Sequence, residues 1–340
     1  MSNENPLSAS CPPELRFAVA EYLGGRRIDA VVSRELRNHT RFRIHRLVRA
    51  GAVRIDGQVA DIRQRVYAGQ QVSVRLLEPP DKLLRATPAT LEVVYEDQWL
   101  VAVNKPSGMI IHPAEVDRAD TLVNALQWHL DQTAVAVGLL RPGIVHRLDR
   151  DTSGVVVATK DHLSHRRLSI GFQERTIRKT YLAVVEGNPA EDDGTIDTPL
   201  GQVTDPESHL VSADDDAINP RPARTDYSVI EKFDGWSVIE ARPLTGRLHQ
   251  IRVHFASIGH PLLGDPFYGP HGEIRRDRNG TLLVDPPADP PWPVIDRHAL
   301  HARSLSFEHP ITGHPLTVES PLPDDLSRIC LLYTSPRPRD

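Results

Sequence analysis

The sequence predicts an α+β protein built in two unequal parts. Short apolar runs of β-favouring residues recur through most of the chain, among them Leu100-Val101-Ala102-Val103 and Val155-Val156-Val157-Ala158. Fewer stretches carry helical spacing. A Pro-rich segment, residues 78–90, offers little apolar content beyond Leu83-Leu84 and marks a linker between the parts. Charge divides at the same place. Residues 1–78 hold 13 Arg and no Lys against 8 Asp and Glu, a surplus of +5, so the remainder carries −10 of the net −5. A basic module on an acidic body points to a polyanion contacted at one end.

Within the first part, residues 1–14 read as a disordered leader. Ile28, Val31, Val32 and Leu36 are apolar at helical spacing. Thr40 can cap a second helix in which Ile44, Leu47 and Val48 share a face, and Gly51 closes it. Arg41, Arg43, Arg46 and Arg49 supply the charge of that helix, mostly away from its apolar face. Val53-Arg54-Ile55 alternates as a strand, and Asp56-Gly57 is a hairpin turn. Val59, Val66 and Val72-Ser73-Val74 supply further short strands.

The second part opens with strands at Leu91–Tyr95 and Leu100–Val103, the latter running into the turn Asn104-Lys105-Pro106-Ser107-Gly108-Met109. Residues 121–130 form a helix with Leu122, Ala125, Leu126 and His129 on one stripe, His129 reading as a helix-surface residue. Residues 162–173 form another, bearing Arg166 and Arg167, and Arg178–Val185 is a basic approach into a strand. Residues 186–222 are turn-rich, with the acidic run Asp214-Asp215-Asp216. Strands return at 223–233, 236–241 and 298–307, with a long surface loop over 270–296. Residues 331–340 break register with the rest and are set outside the fold as a non-native tail.

Composition bounds the function. With 340 residues, 39% hydrophobic and 25% charged, the chain can bury more than one core. It has no run of 18 apolar residues, and its N-terminus lacks the cationic start and apolar stretch of a secretory signal. Two cysteines, Cys11 and Cys330, exclude a disulfide framework or cysteine zinc site and fit a reducing cytoplasm.

The chemistry concentrates in Ile144–Gly154, where His146, Arg147, Asp149, Arg150, Asp151, Thr152 and Ser153 precede a buried-looking strand. This is either a loop that holds a carboxylate beside cations at the head of a central strand or a solvated turn with local ion pairs. His249, His254 and His260 invite a metal reading, yet they lack the spacing of a ligand set. Ser153 sits outside any G-x-S-x-G elbow, which weakens a serine hydrolase.

"HRLDRDTSG" over 146–154 resembles the signature of the RluA-type pseudouridine synthase family. "NKPSGMIIHP" at 104–113, "KTYLAVV" at 179–185 and the segment from Leu244 through "ASIGHPLLGDPFYG" resemble that family's other motifs, in the same order. Leu248 stands where relatives often carry Thr, and the acidic run near 214 departs from the more basic hairpin common among them. Arg27-Ile28-Asp29, "RIHRLVRAGAVRIDGQ" and "VYAGQQVSV" resemble the small RNA-binding domain of ribosomal protein S4. Together the likeness spans roughly residues 15 to 325.

The resemblance implies a mixed, mainly antiparallel catalytic sheet with flanking helices over 91–330, joined to an S4-like α+β RNA-binding domain over 15–77. It implies an isomerase that turns uridine into pseudouridine without cofactor or metal. Asp149 would be the nucleophile, Arg252 its partner, and Tyr181 would stack on the target base and assist proton transfer, against the bland alternative of an ordinary strand aromatic. Arg147 would fill the place the base vacates. Lys105 is an RNA contact on this view or simply a surface cation. Arg41, Arg43, Arg46 and Arg49 would grip phosphate through their forked guanidinium groups, or be a solvated face. The implied partner is RNA, large-subunit ribosomal RNA first and transfer RNA as the alternative, met by a cytoplasmic monomer. An RNA-binding protein that has lost catalysis is the rival class, and the joint presence of Asp149, Tyr181 and Arg252 speaks against it.

Overall fold

The computed structural model of the protein describes residues 14–37, 39–75, 85–112, 119–133, 141–203, 210–276, 281–284 and 290–334. The expected leader, apart from Glu14, and most of the expected linker lie outside these residues.

The first part is a small sheet backed by two helices. Strands β1 (Glu14–Ala18), β2 (Val53–Ile55), β3 (Gln58–Val59) and β4 (Gln71–Arg75) lie in the antiparallel order β1-β4-β2-β3. Helices α1 (Ile28–Glu35) and α2 (Arg41–Arg49) bury Ile28, Val31, Val32, Ile44, Leu47 and Val48 against Val53, Ile55, Val72 and Val74. The hydroxyl of Thr40 accepts the Arg43 N–H at 3.2 Å, the expected N-cap. Asp56 and Gly57 both take positive φ, 50° and 82°, as a two-residue hairpin turn requires. Two readings are corrected. Glu14 begins β1 rather than ending a leader, and Val66 lies outside the strands, its N–H donating to the carbonyl of Arg26.

The second part is a large mixed sheet. It contains β5 (Glu92–Glu96), β6 (Leu100–Lys105), β7 (Gly143–Ile144), β8 (Ser153–Thr159), β9 (Arg178–Glu186) and β10 (Asp193–Ile196). Strands β11 (Leu200–Gln202), β12 (Val211–Ser212) and β13 (Ile218–Arg221) form a separate three-stranded sheet inside the stretch read as turns. Returning to the large sheet are β14 (Thr225–Lys232), β15 (Trp236–Pro243), β16 (Leu300–Glu308) and β17 (Pro315–Glu319). The order is β10-β14-β15-β9-β16-β8-β6-β5, with β17 on β16 and β7 on β8. Among the described strands β8 and β16 alone run parallel.

Helices α3 (Leu122–Thr133), α4 (His162–Gln173), α5 (Gln250–Ser257) and α6 (Asp324–Thr334) cover this sheet. All seven residues of β8 are buried. Val156 and Ala158 pack with Leu122 and Leu126 of α3, while Val155 and Val157 pack with Leu168 of α4. A strand buried on both faces reads as an unbroken apolar run, which is how Val155–Ala158 stands out in the sequence. On β9, Ala183 and Val185 meet Ile251 and Phe255 of α5, and Leu182 and Val184 meet Leu326 and Ile329 of α6. Helix α6 runs through Thr334, so residues 331–334 belong to the fold, contrary to their exclusion; 335–340 lie outside the described residues. The histidine expected at a helix surface, His129, pairs with Glu96 at 2.8 Å.

The parallel register sets His301 beside Ser153 and Ala302 beside Gly154, while Ala302 also faces Tyr181 of β9. Three neighbouring strands thus bring the end of the 144–154 loop beside Tyr181. Gly154 holds φ at 117°, and a Cβ there would lie 2.2 Å from the carbonyl oxygen of Ala302. Only glycine fits this junction. Gly154→Ala should therefore cost about 3 kcal/mol or more, since the added carbon meets backbone that cannot yield. Urea denaturation checks this, and a loss under about 1 kcal/mol would show that β8 and β16 part there freely.

Candidate active site

Residue Arg252 sits on α5, where seven of eight positions are buried. Its side chain is 3% exposed. A guanidinium in such a place must be matched by anions. Its Nε and Nη2 donate to the two oxygens of Asp265 at 2.7 and 2.9 Å, and its Nη1 donates to Oδ2 of Asp149 at 3.2 Å. Asp265 is wholly buried and also accepts the N–H groups of Phe267 and Tyr268. The ring of Tyr268 lies under the guanidinium, 5.0 Å from its centre. Burial works against the charge of Arg252, but Asp265 and then Asp149 hold its pKa above the ordinary value.

Asp149 occupies the loop before β8, its side chain 18% exposed. Burial pushes its pKa up, and the charges facing it, His249, Arg252 and His298, outweigh burial and bring it below the usual carboxylate value. Of these, His249 is driven down to about 4 and His298 to about 3 by their own burial. At neutral pH both are uncharged, so the guanidinium is the cation that keeps Asp149 ionised.

Buried cations fix the loop around Asp149. Lys105, at the end of β6, is fully buried and donates from Nζ to the carbonyls of Pro106, Met109 and Arg150 at 2.8, 3.0 and 2.9 Å. Burial lowers its pKa to about 7. Both sequence readings of Lys105, RNA contact and surface cation, are therefore corrected: it is an internal tie with its three donors engaged. Arg297 donates from Nη1 to the carbonyls of Asp151 and Leu300 and grips Asp325 of α6 with Nε and Nη2. Thr152 meets His298 at 2.8 Å, and Ser153 meets His301 at 3.0 Å.

Asp149, Tyr181 and Arg252 line one cavity of about 550 Å³, within the usual range for ligand sites. Its walls also carry Arg147, Lys179, Arg247 and His249. Arg147 is exposed at this cavity. The phenol of Tyr181 is pushed up in pKa by burial and then by Asp149, and stays protonated at neutral pH. The 244–250 loop is pinned by Gln250, whose side chain accepts from Arg247 N–H and Thr245 Oγ1 and donates to the carbonyl of Arg224.

Away from the cavity, Arg41, Arg43 and Arg49 lie on α2, where the Arg46 side chain lies outside the described residues. Arg41 and Arg49 are exposed. Buried Asp29 gathers the fork of Arg27, His45 at 2.9 Å and Arg41 at 3.5 Å, so Arg41 is partly committed to the fold.

Sequence reasoning passed over Asp265, Tyr268 and the position of His249. The usable signal was Arg252 itself, a charge amid Ile, Val, His and Phe that requires an acid beside it. The histidines read against a metal set are each engaged otherwise. His249 meets Tyr268, His254 meets Thr225 and the Thr198 carbonyl, and His260 meets the Glu186 carbonyl.

A family model described as RNA pseudouridylate synthase matches residues 99–257, and the S4 domain model matches residues 26–72. An RNA pseudouridine synthase of Bacillus subtilis is 36% identical over 93% of this chain and 97% of its own length. The ribosomal large subunit pseudouridine synthase D of Nitrosomonas europaea is 34% identical, covering 96% of this chain and 88% of the relative. That of Pseudomonas aeruginosa is 36% identical over 89% and 90%. The structure of human RNA pseudouridylate synthase domain containing 1 aligns with a TM-score of 0.51 at 28% identity, covering 70% of this chain and 86% of that one. The chain belongs to the RNA pseudouridine synthase family and carries an S4 domain ahead of the synthase fold.

Proposed function

We propose that the protein isomerises uridine to pseudouridine in large-subunit ribosomal RNA, with Asp149 as the nucleophile. The observation that carries this reading is a single ionised carboxylate in the cavity, held by a buried guanidinium and facing a tyrosine. The ribosomal substrate rests on the relatives named above and on the basic S4 domain. A cytoplasmic monomer is the simplest form for such an enzyme.

The reaction conserves every atom. The Asp149 carboxylate bonds to the anomeric carbon as the N1–C1′ bond breaks, its electron pair leaving on N1. The freed uracil turns. C5 then bonds to C1′ and the carboxylate leaves with its pair. C5 loses its proton to water, and N1 takes one up. Neutral Tyr181 stacks on the uracil and keeps its own proton. Arg147 enters the gap left when the base swings out of its helix, a step costing a few kcal/mol. Arginines of α2 hold the RNA backbone.

Asp149→Asn should remove activity while sparing fold and RNA affinity. Single-turnover pseudouridine formation within about tenfold of wild type, only about 1.4 kcal/mol in barrier, would end the nucleophile assignment.

Arg252→Met would strand two carboxylates, Asp149 and Asp265, and should unfold the site at about 3–5 kcal/mol. Arg252→Lys is the informative change. One ammonium cannot hold both acids, so the Asp149 pKa rises and less anion exists in acid. The acidic limb of the pH–rate profile should move to higher pH. An unmoved limb would show that Arg252 does not set this ionisation.

Reversing charge at Arg41 and Arg49 with Glu should weaken RNA binding without changing the rate at saturating RNA. The slope of log affinity against log salt should flatten by about 0.7–0.9 per lost contact. An unchanged slope in a filter-binding titration would make these arginines a solvated face.

A further inference from the structure

His249 stands beside the reacting carboxylate in a backbone conformation that side chains rarely adopt, φ 52°, at the N-terminus of α5. Such left-handed positions outside glycine collect at functional sites. Its Nδ1 lies 2.8 Å from the hydroxyl of Tyr268, and its Nε2 lies 4.0 Å from Oδ2 of Asp149.

The proton on this ring can be placed by elimination. Burial lowers the His249 pKa to about 4 and raises that of Tyr268, so both are neutral at pH 7. The Tyr268 oxygen already accepts the Val211 N–H at 3.2 Å. Were Nδ1 to carry the ring proton, the Tyr268 hydroxyl would lose its acceptor. A bare Nε2 lone pair would then face the Asp149 carboxylate. With the proton on Nε2, Tyr268 donates to Nδ1 and an N–H dipole faces the anion.

The two oxygens of Asp149 are unequal. Arg252 donates to Oδ2 and His249 faces Oδ2, whereas Oδ1 receives no hydrogen bond among the described residues. Resting on Asp149 as the nucleophile, we infer that His249 is a positioning residue: Tyr268 holds it as the Nε2–H tautomer, it joins Arg252 in fixing Oδ2, and Oδ1 is the attacking oxygen.

Glutamine and asparagine separate this role from a structural one. The amide nitrogen of Gln reaches the place of Nε2, and that of Asn the place of Nδ1. A left-handed helix N-cap favours Asn over Gln. His249→Gln should retain single-turnover activity within about fivefold of wild type, whereas His249→Asn and His249→Ala should fall by about fiftyfold. A purely structural role gives the reverse order, and that order, or equal rates, overturns the inference. Tyr268→Phe should cost about tenfold, by releasing the tautomer. Imidazole ¹⁵N spectra of histidine-labelled protein supply the second measurement, with the His249 signal assigned from His249→Gln. A protonated Nε2 and bare Nδ1 are expected, and a protonated Nδ1 overturns the assignment even where a variant folds poorly. Wild type that makes no pseudouridine would sink the nucleophile reading, while the spectra still decide the tautomer.

Discussion

One guanidinium holds the site together. Arg252 holds Asp265 with Nε and Nη2 and reaches Asp149 with Nη1. The division matters because Asp265 is fully paired, by the fork and by two backbone N–H groups, and can serve as a fixed counter-anion. Asp149 has one longer hydrogen bond from the guanidinium and stays open to the cavity. Removing a partner from a buried ion pair is far more damaging than never having made it. Asp265 therefore protects the fold from the consequences of placing Arg252 where Asp149 needs it.

The same economy appears in the loop that carries Asp149. Its following carbonyls, at Arg150 and Asp151, are each bound by a buried cation, Lys105 or Arg297. Two further residues, Thr152 and Ser153, lean on histidines that burial keeps neutral. The carboxylate stands at the cavity on a backbone fixed from beneath.

Much of this was legible in the sequence, for physical reasons that differ by segment. The 146–154 cluster stood out as charge running directly into an unbroken apolar strand, but residue chemistry left a solvated turn equally open, and the family resemblance decided between them. Asp161, which caps α4 through the N–H groups of Leu163 and Ser164, sits where the start of that helix was placed. Helix α5 gave no period to read, since burial on nearly every side removes the amphipathic stripe. Lys105 was misjudged because a lysine beside Pro and Gly looks like a surface turn, and only the fold shows three carbonyls converging on it. Asp265 carried no sign of its role, because its partner lies 13 positions away on another element.

The parallel pairing of β8 with β16 has a kinetic consequence. It joins residues 146 and 148 positions apart, Thr152 to His298 and Ser153 to His301, and Arg252 reaches Asp149 across 103. Closing such long loops is entropically costly until the whole sheet rewards it, so chains of high contact order fold slowly. No local segment can preassemble this cavity on its own. The carboxylate, its counter-cation and the tyrosine reach one another only as the central strands zip.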